Sequence, residues 1–175
     1  MQGLVIKSTG KWYKVLLESN TTVNATIKGK LRLKGIKTTN PIAAGDIVEL
    51  ITKKSGDEDQ FVIQAVHDRT NYLVRKSTNL SKQMQIIAAN IDRVYLVATL
   101  KSPVTQIAFI DRFIVAAESF RIPTTILFNK TDLYPSKELK QLEALIKIYS
   151  HIGYPCHKIV AEDEKTVAFM REEIK

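Results

Sequence analysis

Apolar and polar positions alternate in short runs up to about Asn90, and beyond it the rhythm changes. The segments GLVIKS, WYKVLLES, TVNATIKGKLRL, DIVELITKK and QFVIQAVHD are rich in Val, Ile, Thr and aromatic residues. Gly10, Asn20, the stretch from Gly35 to Pro41 and Ser55–Gly56 separate them. Five short strands with polar turns predict a small barrel or sandwich. In AGDIVEL, Gly45 and Asp46 make a turn and an alternating strand follows. KGKLRLK also alternates. Side chains repeat every second residue along a strand, so Lys28, Lys30, Arg32 and Lys34 share one face and Leu31 and Leu33 the other. A basic stripe on a five-stranded barrel is how oligonucleotide-binding (OB) folds meet a phosphate backbone. Trp12 and Tyr13 offer stacking surface, although an aromatic such as Trp12 more often belongs to the core.

After Asn90 the pattern is that of alternating strands and helices. IDRVYLVATL is a near-continuous apolar strand, as expected for a sheet covered on both faces. VTQIAFIDRFIVAAESF is helical, with Ile107, Ile110, Ile114 and Ala117 on one stripe. Thr124 to Phe128 is the next strand. PSKELKQLEALIKIYSHIG is a helix that starts at Pro135–Ser136 and stops at Gly153. Its buried side is Leu139, Leu142, Leu145, Ile146 and Tyr149. CHKIVA is a third strand and DEKTVAFMREEIK a final helix. This order means βαβ units and a parallel sheet. The expected organisation is an OB barrel over 1–68, a basic linker over 69–90 and an α/β region over 91–175.

Charge sharpens the picture. The net charge is +8 over 175 residues. From Thr21 to Gly45 the bases Lys28, Lys30, Arg32, Lys34 and Lys37 stand without an acid. From Arg69 to Asn90 so do Arg69, Arg75, Lys76 and Lys82. One such run is often just a solvated face, but two in one chain favour a polyanion such as RNA. No apolar run is long enough to cross a bilayer, and the first residues carry no signal-peptide pattern. A single cysteine, Cys156, excludes an internal disulfide and fits a reduced, cytoplasmic setting. Cys156 with His67, His151 and His157 lacks the spacing of a zinc site, so these residues are expected to be structural.

The sharpest chemistry lies in TTILFNKTDLY. Asn129, Lys130, Thr131 and Asp132 follow an apolar strand, and ligands of open parallel sheets sit at the strands' carboxyl ends. Guanine presents two donors, N1–H and its exocyclic amine, which one carboxylate, Asp132, accepts as a bidentate pair. Adenine presents an acceptor there instead. Asn129 carries a donor amide that reaches the base's other edge, and the Lys130 stem lies along the base plane. The competing reading is a plain turn, since Asn, Thr and Asp are ordinary turn residues. A GTPase also needs a phosphate loop. Among the seven glycines, Gly10-Lys11 and Gly29-Lys30 lack the G-x-x-x-x-G-K-[ST] pattern. No Asp precedes a glycine by three residues, so D-x-x-G is absent too. Either the N-K-T-D stretch is a coincidence, or the usual order is permuted.

Taken together, KGKLR, AAGDIVEL, RTNYLVRK, QIIAANIDRVYLV, IDRFIVAA and FNKTDL make the chain resemble the ribosome-small-subunit-dependent GTPase A (RsgA) family of circularly permuted GTPases. The resemblance covers nearly the whole chain. It implies an OB barrel followed by part of a permuted P-loop GTPase domain. It implies a monomeric, cytoplasmic assembly factor that binds the small ribosomal subunit and its rRNA and hydrolyses GTP. Magnesium and a structural zinc are expected only beyond Lys175, in a C-terminal part, so this chain is expected to be inactive alone. The resemblance places a second base-contacting patch, a Ser-Ala pair, at Val160–Ala161. Val160 lacks the hydroxyl, which is expected to weaken the loop. The rival reading is an OB-fold RNA-binding module with a non-catalytic α/β scaffold. Another kind of P-loop GTPase is disfavoured, because no G-K-[ST] lies upstream.

Overall fold

The computed structural model describes residues 1–27, 41–55, 58–76 and 84–174. The chain forms two compact units, Met1–Ile91 and Asp92–Lys175.

In the first unit β1 (Gln2–Ser8), β2 (Tyr13–Leu17), β3 (Thr22–Ile27), β4 (Ile47–Ser55) and β5 (Glu58–Val66) close a barrel in the order β1-β2-β3-β5-β4. Only the β3–β5 pair is parallel; the other neighbours run antiparallel. This is the OB-like barrel expected of the first five apolar runs. Alternation works as the pleat demands: Val5, Val15, Ala25, Val48, Leu50 and Ile63 point into one core. Tyr13 is fully buried there, and its hydroxyl donates to the Gly10 carbonyl at 3.1 Å. Trp12, next in line, is 48% exposed. Successive side chains face opposite ways, so seating Tyr13 inside turns Trp12 out, against the expectation of a core tryptophan. Lys28, Lys30, Arg32, Lys34 and Lys37 lie outside the described residues, as do Leu31 and Leu33.

The segment expected to be a linker contains paired strands instead. β6 (Tyr72–Lys76) and β7 (Met84–Ala89) form an antiparallel hairpin. It is bonded to the turn before β4: the Ala89 amide donates to Ala44 O at 2.9 Å, and Asn90 Nδ2 to Gly45 O at 2.9 Å. Gly45 sits at φ +89°, and a Cβ there would come within 1.9 Å of the Ala89 carbonyl oxygen. Only glycine fits. The adjacent Asp46 is completely buried. Arg69 grips it with two bonds, Nε to Oδ1 and Nη2 to Oδ2, each 2.7 Å. Arg69 also donates to Pro41 O, and the Ala43 amide donates to Asp46 Oδ2. Polar residues that looked solvated are thus consumed internally.

In the second unit β8 (Val94–Ala98), α1 (Ile107–Ser119), β9 (Thr124–Phe128), α2 (Ser136–His151), β10 (Cys156–Lys158) and α3 (Glu164–Glu173) follow one another. The strands form a parallel sheet in the order β10-β9-β8. Leu96, Ala98, Ile126 and Phe128 meet Ile110 and Ile114 of α1 and Leu142, Leu145 and Tyr149 of α2 in a second core. Ile107 and Leu139, one turn earlier on their helices, are exposed, so the buried stripes begin later than periodicity alone suggests. Val97 is 53% exposed. β8 is an edge strand among the described residues, and its apolar run is covered only on the Leu96–Ala98 side at that point. Gly153, at φ +98°, follows the end of α2 as the predicted stop.

Removing one partner of a buried ion pair strands the other charge. Arg69→Ala should therefore lower the stability of the barrel unit by about 3–5 kcal/mol. Urea unfolding followed by fluorescence of Trp12, which reports on that unit, measures it. Lys158→Ala breaks an ion pair with Glu143 between exposed side chains; measured the same way with a probe in the second unit, it should cost less than about 0.5 kcal/mol.

Candidate guanine-binding site

The site grows from the carboxyl ends of the second unit's three strands. The Asn129 amide donates to Ala98 O at 2.8 Å, carrying the β8–β9 ladder one residue past β9. The Ile159 amide donates to Phe128 O at 2.8 Å and does the same for β10. Asn129 then uses its side-chain oxygen twice: Oδ1 accepts from the Lys130 amide at 2.7 Å and from the Ala161 amide at 3.1 Å. One acceptor therefore joins the end of β9 to the loop after β10. Lys130 stands in the left-handed region at φ 61°, which costs a non-glycine residue about 1 kcal/mol. The bond between its amide and Asn129 offsets that strain.

Beyond Lys130 the chain makes a 3₁₀ turn, Thr131–Leu133. The Thr131 amide and hydroxyl both donate to Ile159 O, at 3.4 and 3.3 Å. Thr131 is therefore a fastener of the loop, with its hydroxyl already engaged. Lys130 Nζ donates to Ser102 O at 2.5 Å, in the turn between β8 and α1. Asp132 lies exposed on the 3₁₀ turn. Among the described residues neither its carboxylate nor Asn129 Nδ2 has a hydrogen-bond partner. The loop thus holds itself with Asn129 Oδ1, Thr131 and Lys130, and leaves one carboxylate acceptor and one amide donor uncommitted. That is the pair of groups that guanine's donor edge and its carbonyl edge call for.

Three further residues hold the loop, of which the resemblance places only Ala161 near the site. Ala161 acts through its backbone amide, so the bond to Asn129 does not depend on a hydroxyl at Val160. Thr166 Oγ1 accepts from the Val160 amide at 3.2 Å and steadies the same loop from α3. Tyr134 is buried and its hydroxyl donates to Asn129 O at 2.6 Å. Composition signals neither the Thr166 nor the Tyr134 bond, because each depends on a partner that only the folded loop brings within reach. Among the described residues no cluster of three or more His, Cys, Asp or Glu could hold a metal. Cys156 is half-buried and burial pushes its thiol pKa up, which disfavours the thiolate a metal needs. His67 pairs with Glu49 at 3.4 Å, and His157 packs on the Phe169 ring at 4.8 Å.

Comparison with known proteins decides the family. The model of the RsgA GTPase matches residues 66–175, and that of the RsgA N-terminal domain matches residues 2–58. The chain belongs to the RsgA GTPase family. It is 49% identical over 175 residues to a small ribosomal subunit biogenesis GTPase RsgA of Bacteroides fragilis, covering 100% of this chain and 56% of that protein. It is 46% identical to RsgA 2 of Bacteroides thetaiotaomicron, with the same coverage. Among solved structures, YjeQ from Thermotoga maritima superposes with a TM-score of 0.72 at 32% identity, over 99% of this chain and 56% of that one. YloQ, a circularly permuted GTPase, gives 0.63 at 26% identity, over 98% and 55%. The chain therefore spans about half the length of the RsgA proteins it matches. The barrel followed by an α/β unit is the fold of these permuted GTPases, and permutation accounts for an N-K-T-D stretch with no phosphate loop upstream.

Proposed function

We propose that a protein of the relatives' length carrying this chain binds and hydrolyses GTP and acts on the small ribosomal subunit during its late assembly in the cytoplasm. The observation that carries the nucleotide reading is the uncommitted Asp132 carboxylate beside the uncommitted Asn129 amide, both at the carboxyl edge of a parallel sheet. Lys130 and Thr131 shape the loop between them. The relatives are small ribosomal subunit biogenesis GTPases, which supports the partner.

This chain supplies base recognition. It has no G-K-[ST] and no D-x-x-G, so the phosphate loop and magnesium ligands would lie outside these 175 residues, and so would a structural zinc site. When bound, magnesium and a phosphate loop neutralise charge on the transferring phosphoryl group. Among the described residues, β8 has no partner on its outer side, which leaves room for a further parallel strand beside it.

The basic residues Lys28, Lys30, Arg32, Lys34 and Lys37 are proposed to track rRNA phosphates from the barrel. The exposed Trp12, flanked in sequence by Lys11 and near Lys14, supports an RNA contact on the barrel, because an aromatic face beside cations suits an unstacked base. If the α/β unit were only a scaffold for an RNA-binding barrel, guanine selectivity would be absent.

Asp132→Asn in a protein of the relatives' length tests the nucleotide reading. It replaces a double acceptor with a group that carries a donor. GTP binding should weaken by about 2–4 kcal/mol, and preference should move towards xanthine nucleotides, which have a carbonyl where guanine has its amine. Unchanged GTP affinity in a nucleotide titration would show that Asp132 does not read the base.

The RNA reading has its own test. Replacing Lys30 and Arg32 together by Ala should weaken binding to small ribosomal subunits. The slope of log affinity against log salt should shrink by roughly one to two units, with thermal stability nearly unchanged. An unchanged slope would assign these residues to a merely solvated face.

A further inference from the structure

We propose that Tyr134 is a positioning residue for guanine recognition: its hydroxyl closes the loop that carries Asp132 and couples that loop to the turn between β8 and α1. This rests on the guanine reading of the N-K-T-D loop.

Tyr134 is the first residue after the 3₁₀ turn, and its ring sits in the core between sheet and helices. A phenylalanine would fill the same space. The hydroxyl has a separate task. It donates to Asn129 O at 2.6 Å and accepts from the Leu100 amide at 2.9 Å, so both of its hydrogen-bonding capacities are engaged at once. The first bond spans Asn129 to Tyr134 and encloses the four residues from Lys130 to Leu133, Asp132 among them. The position of Asp132 is thus set between two anchors, Asn129 at the strand end and Tyr134 in the core. The second bond reaches the β8–α1 turn. That turn is itself held by Thr105 N to Thr99 O at 2.8 Å, Thr99 N to Thr105 Oγ1 at 3.0 Å and Thr99 Oγ1 to Pro103 O at 2.5 Å. The same turn offers Ser102 O to Lys130 Nζ.

A ring of contacts results. Asn129 O meets Tyr134, Tyr134 meets Leu100, the β8–α1 turn runs on to Ser102, and Ser102 meets Lys130, the residue after Asn129. Aligning a carboxylate with two donors of a planar base demands placement within about half an ångström. Removing the hydroxyl leaves Asn129 O and Leu100 N without it, and both anchors of the Asp132 turn relax together. The bond most sensitive to that tilt is the second of the bidentate pair, to the exocyclic amine.

The measurement is the dissociation constant for GDP and for the inosine diphosphate, which lacks that amine, on a protein of the relatives' length. Tyr134→Phe should weaken GDP binding on the order of tenfold and the inosine nucleotide on the order of threefold or less. The guanine-over-inosine ratio therefore falls. A purely structural tyrosine lowers the folded fraction and weakens both nucleotides equally, so the ratio is readable even in a destabilised variant. Asp132→Ala is the companion variant. If it abolishes the ratio and Tyr134→Phe leaves it unchanged, the bracing role is overturned and the base reading stands. If neither changes the ratio, the base is not read by Asp132 and the bracing role falls with it.

Discussion

Asp46 is a carboxylate with no access to water, and the architecture of the first unit follows from what that requires. An isolated buried charge is prohibitively expensive, so it must be paired and its lone pairs filled. Arg69 supplies a planar fork with two matched bonds, and the Ala43 amide supplies a third donor. Arg69 lies three residues before the β6–β7 hairpin, and Asp46 immediately before β4. Their pairing draws the start of the hairpin onto the barrel, where the Gly45–Ala89 approach leaves no room for a Cβ. Asn90 and Asn71 then complete the seam, Asn71 by exchanging two bonds with Ile91 at 2.7 and 2.8 Å. The barrel unit therefore runs to Ile91 and the hairpin is part of it.

A different economy governs the N-K-T-D loop. No buried charge is needed there, because Asn129 Oδ1, the Thr131 hydroxyl and Lys130 Nζ, the groups that hold the loop, each have a backbone partner. The side-chain oxygen of Asn129 does what a water molecule or a second side chain would otherwise do, joining two loops through one atom. Since these bonds are internal to the chain, ordering of the loop belongs to folding. A base that docks on it does not bear that entropy, which is the sense in which the site is preorganised.

The legibility of these features in the sequence followed their physical origin. The five barrel strands and the βαβ order were visible because periodicity reports burial directly: Val5, Val15, Val48 and Leu50 alternate as a pleat requires, and Ile110, Ile114 and Ala117 recur as a helix requires. The N-K-T-D loop was visible because its chemistry is local and its strand precedes it. The hairpin was missed because Arg69, Asn71 and Asn90 are residue types that usually face water. Only their partners, 45 positions away for Asn90 and Gly45, reveal that they are consumed. Trp12 was placed inside because size argues for burial, whereas the parity of the strand, fixed by Tyr13, decides. Thr131 was grouped with the base-contacting residues by sequence neighbourhood alone, and its hydroxyl is engaged by Ile159. Tyr134 was read past altogether, since a tyrosine after a turn is indistinguishable from core until its hydroxyl has partners.

Dividing a nucleotide site between a base-reading loop and a phosphate-binding loop separates selectivity from affinity. Phosphates are common to all nucleoside triphosphates, so contacts to them raise affinity without discriminating among bases. Discrimination is a difference between two free energies, and in the proposed site it would come from Asp132 accepting from guanine and repelling the acceptor that adenine presents in the same place. Such a difference survives only if the carboxylate cannot swing to accommodate the wrong base. Under the proposed function that requirement falls on the residues that hold the turn rigid, and much of this loop's bonding is directed inward. Circular permutation changes which end of the chain carries each loop, but it leaves the sheet edge where both must converge. The base reader can therefore precede the phosphate loop in the sequence without any change in the chemistry it performs.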